Sequence, residues 1–294
     1  MQQIDLPTNL LRTLITIVDL GGYTRAAEAL GRTQPAVSLQ MQRLEQLLGT
    51  KLIDPAGRDM RLTETGETLV RYARQMLQLN DEVVATFIEP QATGVLRIGL
   101  PTDYAVAFLQ QALAGFTCDH PDVTLEIHCD LSQRLMTLLQ QDTLDVVVGL
   151  STSERSPYLV KSWDDVPVWA AAKSYVIDRK APLTLVAHPE GCEYRSRMLS
   201  ALADDKRAWR MALTNPDISG LQQAVAAGLG VTALTAKTLT PEMRVLDRKD
   251  GLPPLDNIHI GLFYKHAQLT SAGLLLVNLL IERLDQAAKA RSGQ

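Results

Sequence analysis

Apolar residues recur at helical spacing through the first part of the chain and change to short continuous runs near Pro90. Leu10, Leu14, Ile17 and Val18 share one face of a first helix, which Gly21-Gly22 ends, since glycine accepts the left-handed turn of a helix stop. In TRAAEALG a second helix presents Ala26, Ala27 and Leu30, with Thr24 expected as its N-cap and Gly31 as its terminator. Val37, Met41, Leu44 and Leu48 make the narrow seam of a third helix, and the small alanines let the second approach it closely. KLIDPAGRDMRLTETG reads as two short extended pieces around a turn, a wing. A long helix then predicted from Glu67 to Glu89 sets Leu69, Tyr72, Met76, Leu79, Val83 and Phe87 at steps of three and four. Such a seam suits a copy of itself in a second subunit, or packing on the next domain of its own chain.

Beyond Gly94 the runs GVLRIGL, VTLEIHC and LDVVVGL alternate with the helical AVAFLQQALAGF and SQRLMTLLQQ, which predicts a parallel sheet covered on both faces. A second α/β unit is expected from about Trp163, with strands at VWAAAK, LTLVAH and IHIGLFYK and helices at YRSRMLSALA and LQQAVAAG. TSAGLLLVNLLIERLDQAA closes the chain as a helix.

The surface of the third helix suggests its use. Away from the seam lie Pro35, Ala36, Leu39, Gln42 and Arg43, with Gln34 and Ser38 on the flank. A helix that only met water would carry more Glu and Lys. An uncharged first turn can instead face base edges, where Gln pairs with adenine, Ser with several bases and Leu39 with a thymine methyl. Pro35 is free of cost there, because first-turn N–H groups lack intrahelical partners. Thr33, Gln34, Pro35, Ser38, Leu39, Gln42 and Arg43, with Arg58 and Arg61 of the wing, are the candidate DNA contacts. An ordinary solvated helix is the alternative.

Net charge is −4, so binding to nucleic acid must be local rather than a matter of bulk basicity. Residues 23–63 fit this, with six basic and four acidic side chains. Cys118, Cys129 and Cys192 have no metal-ligand spacing and read as core thiols, with no metal or cofactor expected. The five histidines stand near no nucleophile or carboxylate at a recognisable motif spacing, so no catalytic residue is proposed and an enzyme is disfavoured. With no secretory signal pattern and no membrane-length apolar run, the expected location is cytoplasmic, away from any membrane.

GGYTRAAEALGRTQPAVSLQMQRLEQLLGTKLIDPAGRDMRLTETG closely resembles the signature of LysR-type transcriptional regulators. The resemblance covers the whole chain and implies an α + α/β architecture: a winged helix-turn-helix (1–66), a linker and dimerisation helix (67–90), and an effector domain like a type 2 periplasmic binding protein (91–294). That domain is expected to divide into subdomain I at 91–162 and 266–294 and subdomain II at 163–265. QQAVAAGLGVTAL is similar to the family's late effector-domain helix and turn. Stretches such as RMLSALADDKRAWRMAL and RVLDRKDGLPPL resemble the LrhA-like branch of motility and virulence regulators, and the alternative that this implies is a regulator of motility, virulence or surface behaviour with no obligatory effector. The resemblance carries DNA contacts onto Gln34, Pro35, Ser38, Leu39 and Arg58. It departs from the family at Leu39, where a polar or basic residue is common, and at Pro55, where arginine is. The implied partners are double-stranded DNA with an inverted-repeat operator, further copies of the chain in a dimer or a tetramer of two dimers, a small-molecule effector, and RNA polymerase.

In the implied fold the ligand lies between the subdomains, near strand C-termini and helix N-termini. The candidates are Pro101, Thr102, Asp103, Asp130, Leu131 and Ser132 on one side and Cys192 to Arg195 and Ile218 to Gly220 on the other, with Thr102, Asp103, Leu131, Ser132, Cys192, Arg195 and Ser219 foremost. Thr102, Ser132 and Ser219 match the family's cleft positions, and each could equally be a plain N-cap. Arg195 suits a ligand carboxylate or Asp217, whereas Asp103 and Asp130 speak against a small polyanion. A hydrophobic or amphipathic effector, or none, stays open. A solute-binding protein would explain the C-terminal two thirds but not the winged helix.

Overall fold

Six apolar residues of α1 (Thr8–Leu20), among them Leu11, Leu14 and Ile17, are buried, and Gly21 stops the helix at φ 68°. The computed structural model describes residues 4–54, 60–87, 93–104, 109–151 and 156–292. Ala26 and Ala27 of α2 (Tyr23–Ala29) are buried beside Val37, Met41 and Leu44 of α3 (Gln34–Leu48), as the small-residue pattern requires. Thr24 is not the N-cap of α2: it lies inside the helix, and Gly22 occupies the cap position with no side-chain bond. Gly31 does take the left-handed conformation, at φ 61°.

The wing begins with an antiparallel bridge between Ile53 and Leu62, and the Asp54 N–H donates to the Arg61 carbonyl at 2.8 Å. Residues 55–59, with Pro55 and Arg58, lie outside the described residues. Helix α4 (Glu64–Phe87) starts three residues before the expected Glu67, because the Thr63 hydroxyl accepts the Gly66 N–H at 3.0 Å and so caps it. One face of α4 buries Val70, Ala73, Arg74 and Leu77, whereas Tyr72, Met76, Leu79, Val83 and Phe87 are exposed.

The first lobe of the remainder contains β1 (Gly94–Leu100), α5 (Thr102–Tyr104), α6 (Gln110–Asp119), β2 (Val123–Cys129), α7 (Ser132–Gln140), β3 (Val146–Ser151) and β4 (Leu159–Asp165). The second contains β5 (Pro167–Ala172), β6 (Leu183–Ala187), α8 (Glu193–Asp204), β7 (Trp209–Thr214), α9 (Ile218–Ala226), β8 (Thr232–Thr235) and β9 (Met243–Leu246). The chain returns along β10 (Ile258–Tyr264) and ends in α10 (Ser271–Ser292).

The first sheet runs β2-β1-β3-β10-β4, and only β2, β1 and β3 are parallel; β10 is antiparallel to both β3 and β4. The three strands expected to be parallel are so; what is corrected is the division at 163 and 265, because β4 and β10 both belong to the first sheet. They are the two strands that cross between lobes, so the lobes part near Asp165 and Ile258. The apolar pattern could not separate them from the second lobe, since Trp163, Ile260 and Leu262 share a core with Leu185 and Ala233. In the second lobe β8-β5-β9 are antiparallel and β6-β7 parallel, joined where Val231 exchanges backbone bonds of 2.9 Å with Thr184 and Val186. No helix among the described residues is long and apolar enough to cross a membrane.

Candidate DNA interface and effector cleft

The seam of α3 fixes which side chains it can offer. Val37, Met41 and Leu44 point into the core, so Thr33, Gln34, Pro35, Leu39, Gln42 and Arg43 are exposed together, with Ser38 half-buried among them. Pro35 lies in the first turn, and Gln34 donates to the Ser38 hydroxyl at 3.0 Å, so the two form one polar pair on the leading edge. Leu39 is 66% exposed, a large apolar side chain that joins no core cluster among the described residues. Gln40, by contrast, accepts a bond from Thr13 of α1 at 2.7 Å and is part of the scaffold. At the other end Glu45 holds the turn into the wing: it pairs with Lys51 at 2.6 Å and accepts the Leu52 N–H at 3.1 Å. Arg61 stands exposed beside the helix at the base of the wing, and Arg58 is outside the described residues.

The second site is a cavity of about 100 Å³ between the lobes, at the ends of β1, β2 and β3 and the starts of α5, α7 and α8. Thr102, Asp103, Leu131, Ser132 and Cys192 line it, as the sequence suggested. Arg195 and Ser219 do not. Arg195 turns back onto its own loop, to the His188 carbonyl at 3.3 Å and Glu190 at 3.5 Å, rather than to Asp217. Ser219 is exposed, and Asp217 caps α9 by accepting the Gly220 N–H at 2.7 Å. Ser132 is not a cap either, since its hydroxyl accepts the Leu150 N–H at 2.8 Å and ties α7 to β3. Glu193 and Tyr194, within the helix start that the sequence suggested, line it too, together with Cys129, Leu150, His188 and Pro216, which carry no such signal in the sequence.

Two buried phenol–carboxylate pairs stand at this junction. Tyr194 of α8 donates to Asp103 at 2.7 Å, from one lobe to the other, and Tyr104 donates to Asp165 at the end of β4, also at 2.7 Å. Burial pushes the Asp103 carboxyl up to about 6 against the hydrogen bonds from Tyr194 and the backbone, and it pushes Tyr194 well above the usual phenol range. Burial likewise lowers His188 and raises the Cys192 thiol to about 11, so the cleft favours uncharged forms. Cys192 is the core thiol expected; Cys118 and Cys129 are exposed, which corrects that reading for both.

Asp103 gives stability a pH dependence. Its folded-state value lies above the ordinary 3.8, so its contribution is fully present below about pH 4 and is lost as pH rises through about 6. The loss is on the order of 3 kcal/mol at about 1.36 kcal/mol per pH unit. In urea melts between pH 4 and 7, Asp103→Asn should remove this decline; an unchanged decline would assign it to another group.

A third cluster joins the two sites. The Arg74 guanidinium of α4 forms a fully buried ion pair with Asp19 of α1, donates to the Tyr264 carbonyl at 3.5 Å, and lies over the Tyr158 ring. The other Asp19 oxygen accepts the Ala267 N–H at 3.3 Å. Asp81 pairs with Arg12 at 2.6 Å and His266 at 3.0 Å. Burial opposes its charge, but bonds from His266, Arg12 and Asn80 hold its carboxyl well below the usual carboxylate range. The far end of β10 and the turn after it are thereby fastened to both α4 and α1.

Comparison with known proteins agrees with this arrangement. Residues 8–67 match the family described as bacterial regulatory helix-turn-helix protein, lysR family, and residues 90–288 match the LysR substrate binding domain. The chain is 34% identical over 252 residues to the HTH-type transcriptional regulator PecT of Dickeya dadantii, covering 86% of this chain and 79% of PecT. It is 29% identical over 272 residues to DgdR of Burkholderia cepacia, covering 91% and 92%. Among solved structures it shares its fold with CrgA of Neisseria meningitidis, at TM-score 0.53 and 19% identity, covering 95% of this chain and 99% of CrgA. The DNA complex of Vibrio fischeri DarR gives TM-score 0.53 at 14% identity, covering 94% and 99%.

Proposed function

The chain belongs to the LysR family of transcriptional regulators, a sequence-specific DNA-binding protein with an effector-binding domain, and from that premise we propose how its residues share the work. Residues 1–66 read the operator, the helix to residue 90 pairs two subunits, and residues 91–294 respond to an effector and extend the assembly to a tetramer. Gln34, Pro35, Ser38 and Leu39 meet base edges, Thr33, Gln42 and Arg43 flank them, and Arg58 and Arg61 reach the backbone or the minor groove. The observation that carries this is the exposed, uncharged leading edge of α3 set on a rigid buried seam. A change in the angle between lobes alters the spacing of the paired heads and so the bend of the DNA, which presents the assembly to RNA polymerase in the cytoplasm.

Leu39→Gln is expected to change base preference at one position of each half-site while the salt dependence stays nearly constant. Arg61→Ala should weaken binding to all sequences alike and reduce the slope of log K against log salt by about 1. Gel shifts on randomised half-sites at several salt concentrations separate the two; identical behaviour of the variants would refute this division of roles. Placement in the LrhA-like branch is tested by genome-wide footprinting, which should recover motility or virulence promoters.

A further inference from the structure

We propose that Tyr194 is the effector cleft's own occupant, and that the molecule which displaces it is a compact hydrogen-bond donor, a small phenol, alcohol or amine, rather than an anion. The inference deepens the reading of this domain as effector-binding and rests on it. Asp103 stands after β1 at the start of α5, the place where a two-lobed α/β fold holds a ligand's polar group. Here that group comes from the protein. The Tyr194 ring crosses from α8 with 2% of its surface exposed, and its hydroxyl donates to Asp103 at 2.7 Å. Beside it, Tyr104 donates to Asp165 at 2.7 Å and fixes α5 to the crossing strand β4, so the segment that carries Asp103 is held at the hinge and the Tyr194 bond joins the lobes without any ligand.

The space left agrees. About 100 Å³ remains, below the roughly 150 Å³ that accepts benzene in a dry cavity and far below the ~300 Å³ or more of ordinary ligand sites. Adding the volume of a phenol ring in place of Tyr194 would bring it into the range of a small aromatic molecule. The chemistry of the wall selects what could enter. Among the described residues that line the cavity there is no Lys or Arg to meet an anion, whereas Asp103, Asp130 and Glu193 present carboxyl oxygens. One Glu193 oxygen is shut from solvent with no hydrogen-bond partner among the described residues. A ligand that replaces Tyr194 must therefore donate to Asp103 as the tyrosine does, because a buried carboxyl stripped of its donor costs free energy.

The test uses the full chain with Tyr194→Ala and phenol as the probe. Phenol should raise the Tm of the variant saturably, by about 4 °C at ten times its Kd, and act on the wild type only at a concentration at least tenfold higher, since Tyr194 must first be displaced; benzene, which fills the volume without the donor, should bind at least tenfold more weakly. No phenol effect on the variant, an equal effect on the wild type, or equal binding of benzene would overturn the proposal. Should Tyr194→Ala not fold, Tyr194→Phe keeps the ring and removes only the donor. It should speed amide exchange at least tenfold on both lobes, at Thr102–Tyr104 and at Glu193–Met198, with no change in α3, and unchanged or one-sided exchange would count against a latch between lobes. Gel shift of the wild type on promoter fragments runs in parallel. Failure to bind DNA there would remove the regulator reading itself, whereas DNA binding with no phenol response in the variant would remove the latch alone.

Discussion

Replacing Asp19 by alanine should cost about 3–5 kcal/mol, because it leaves the Arg74 guanidinium buried without its counter-ion. Arg74 and Asp19 expose 1% and 0% of their side chains, so water cannot compensate. The loss is a large share of the ~5–15 kcal/mol that stabilises a typical domain. It also frees the Ala267 N–H and so loosens the turn between β10 and α10 from α1. In a urea melt followed by circular dichroism the midpoint should fall sharply for Asp19→Ala, while Asp19→Leu combined with Arg74→Met should come back close to the wild type, since apolar replacement of a buried pair is often neutral. A single variant as stable as the wild type would mean that the pair is not what holds the head against the effector domain. The double variant has a second use: with stability restored but the polar bonds gone, a change in the length of DNA protected would show that the junction sets the spacing of the two heads.

The exposed face of α4 should decide the assembly. Tyr72, Met76, Leu79, Val83 and Phe87 are 41–83% exposed in the single chain, at steps that line up along one side of the helix. Leu79→Asp with Val83→Asp should therefore leave the subunit folded, because neither side chain is used by its own chain's core, yet convert dimers into monomers. Loss of the second binding module should lower affinity for a two-half-site fragment by about 10²–10⁴, with binding to a single half-site little changed. Mass photometry and gel shift read the two effects. A variant that stays dimeric would place the subunit contact elsewhere.

Much of this was legible in the sequence where one spacing carries the signal. The winged helix could be read because its apolar seam repeats at 3.6 residues and its turns fall on Gly21, Gly31 and Gly49, all with positive φ. The start of α4 was placed late, since a Thr63 cap leaves no apolar mark. Strands β4, β7, β8 and β9 are not legible: TALT and MRVL have four residues each, WRMALT is largely exposed, and LVKSWDD carries charge, while the apolar run of β10 looks the same in either core. The cleft was half legible. Strand and helix ends pointed to Thr102, Asp103, Leu131, Ser132 and Cys192. The start of α8 pointed to Tyr194 as well, but nothing in the sequence shows that its hydroxyl reaches Asp103 of the other lobe, or that Arg195 beside it faces its own loop. Arg74 had a signal that went unused: it falls four residues after Val70 and three before Leu77, on the stripe that α4 buries.

Two copies of the chain should read an inverted repeat through α3. Footprinting of the purified protein on a promoter fragment, at about 50 and 200 mM salt, tests it most directly. Expected are two protected half-sites on one face of the duplex, about 10 base pairs or a multiple apart from centre to centre, weakening steeply with salt and shifting in sequence preference for Leu39→Gln. Protection that follows no sequence, covers a single isolated half-site, or is the same for Leu39→Gln as for the wild type would contradict it.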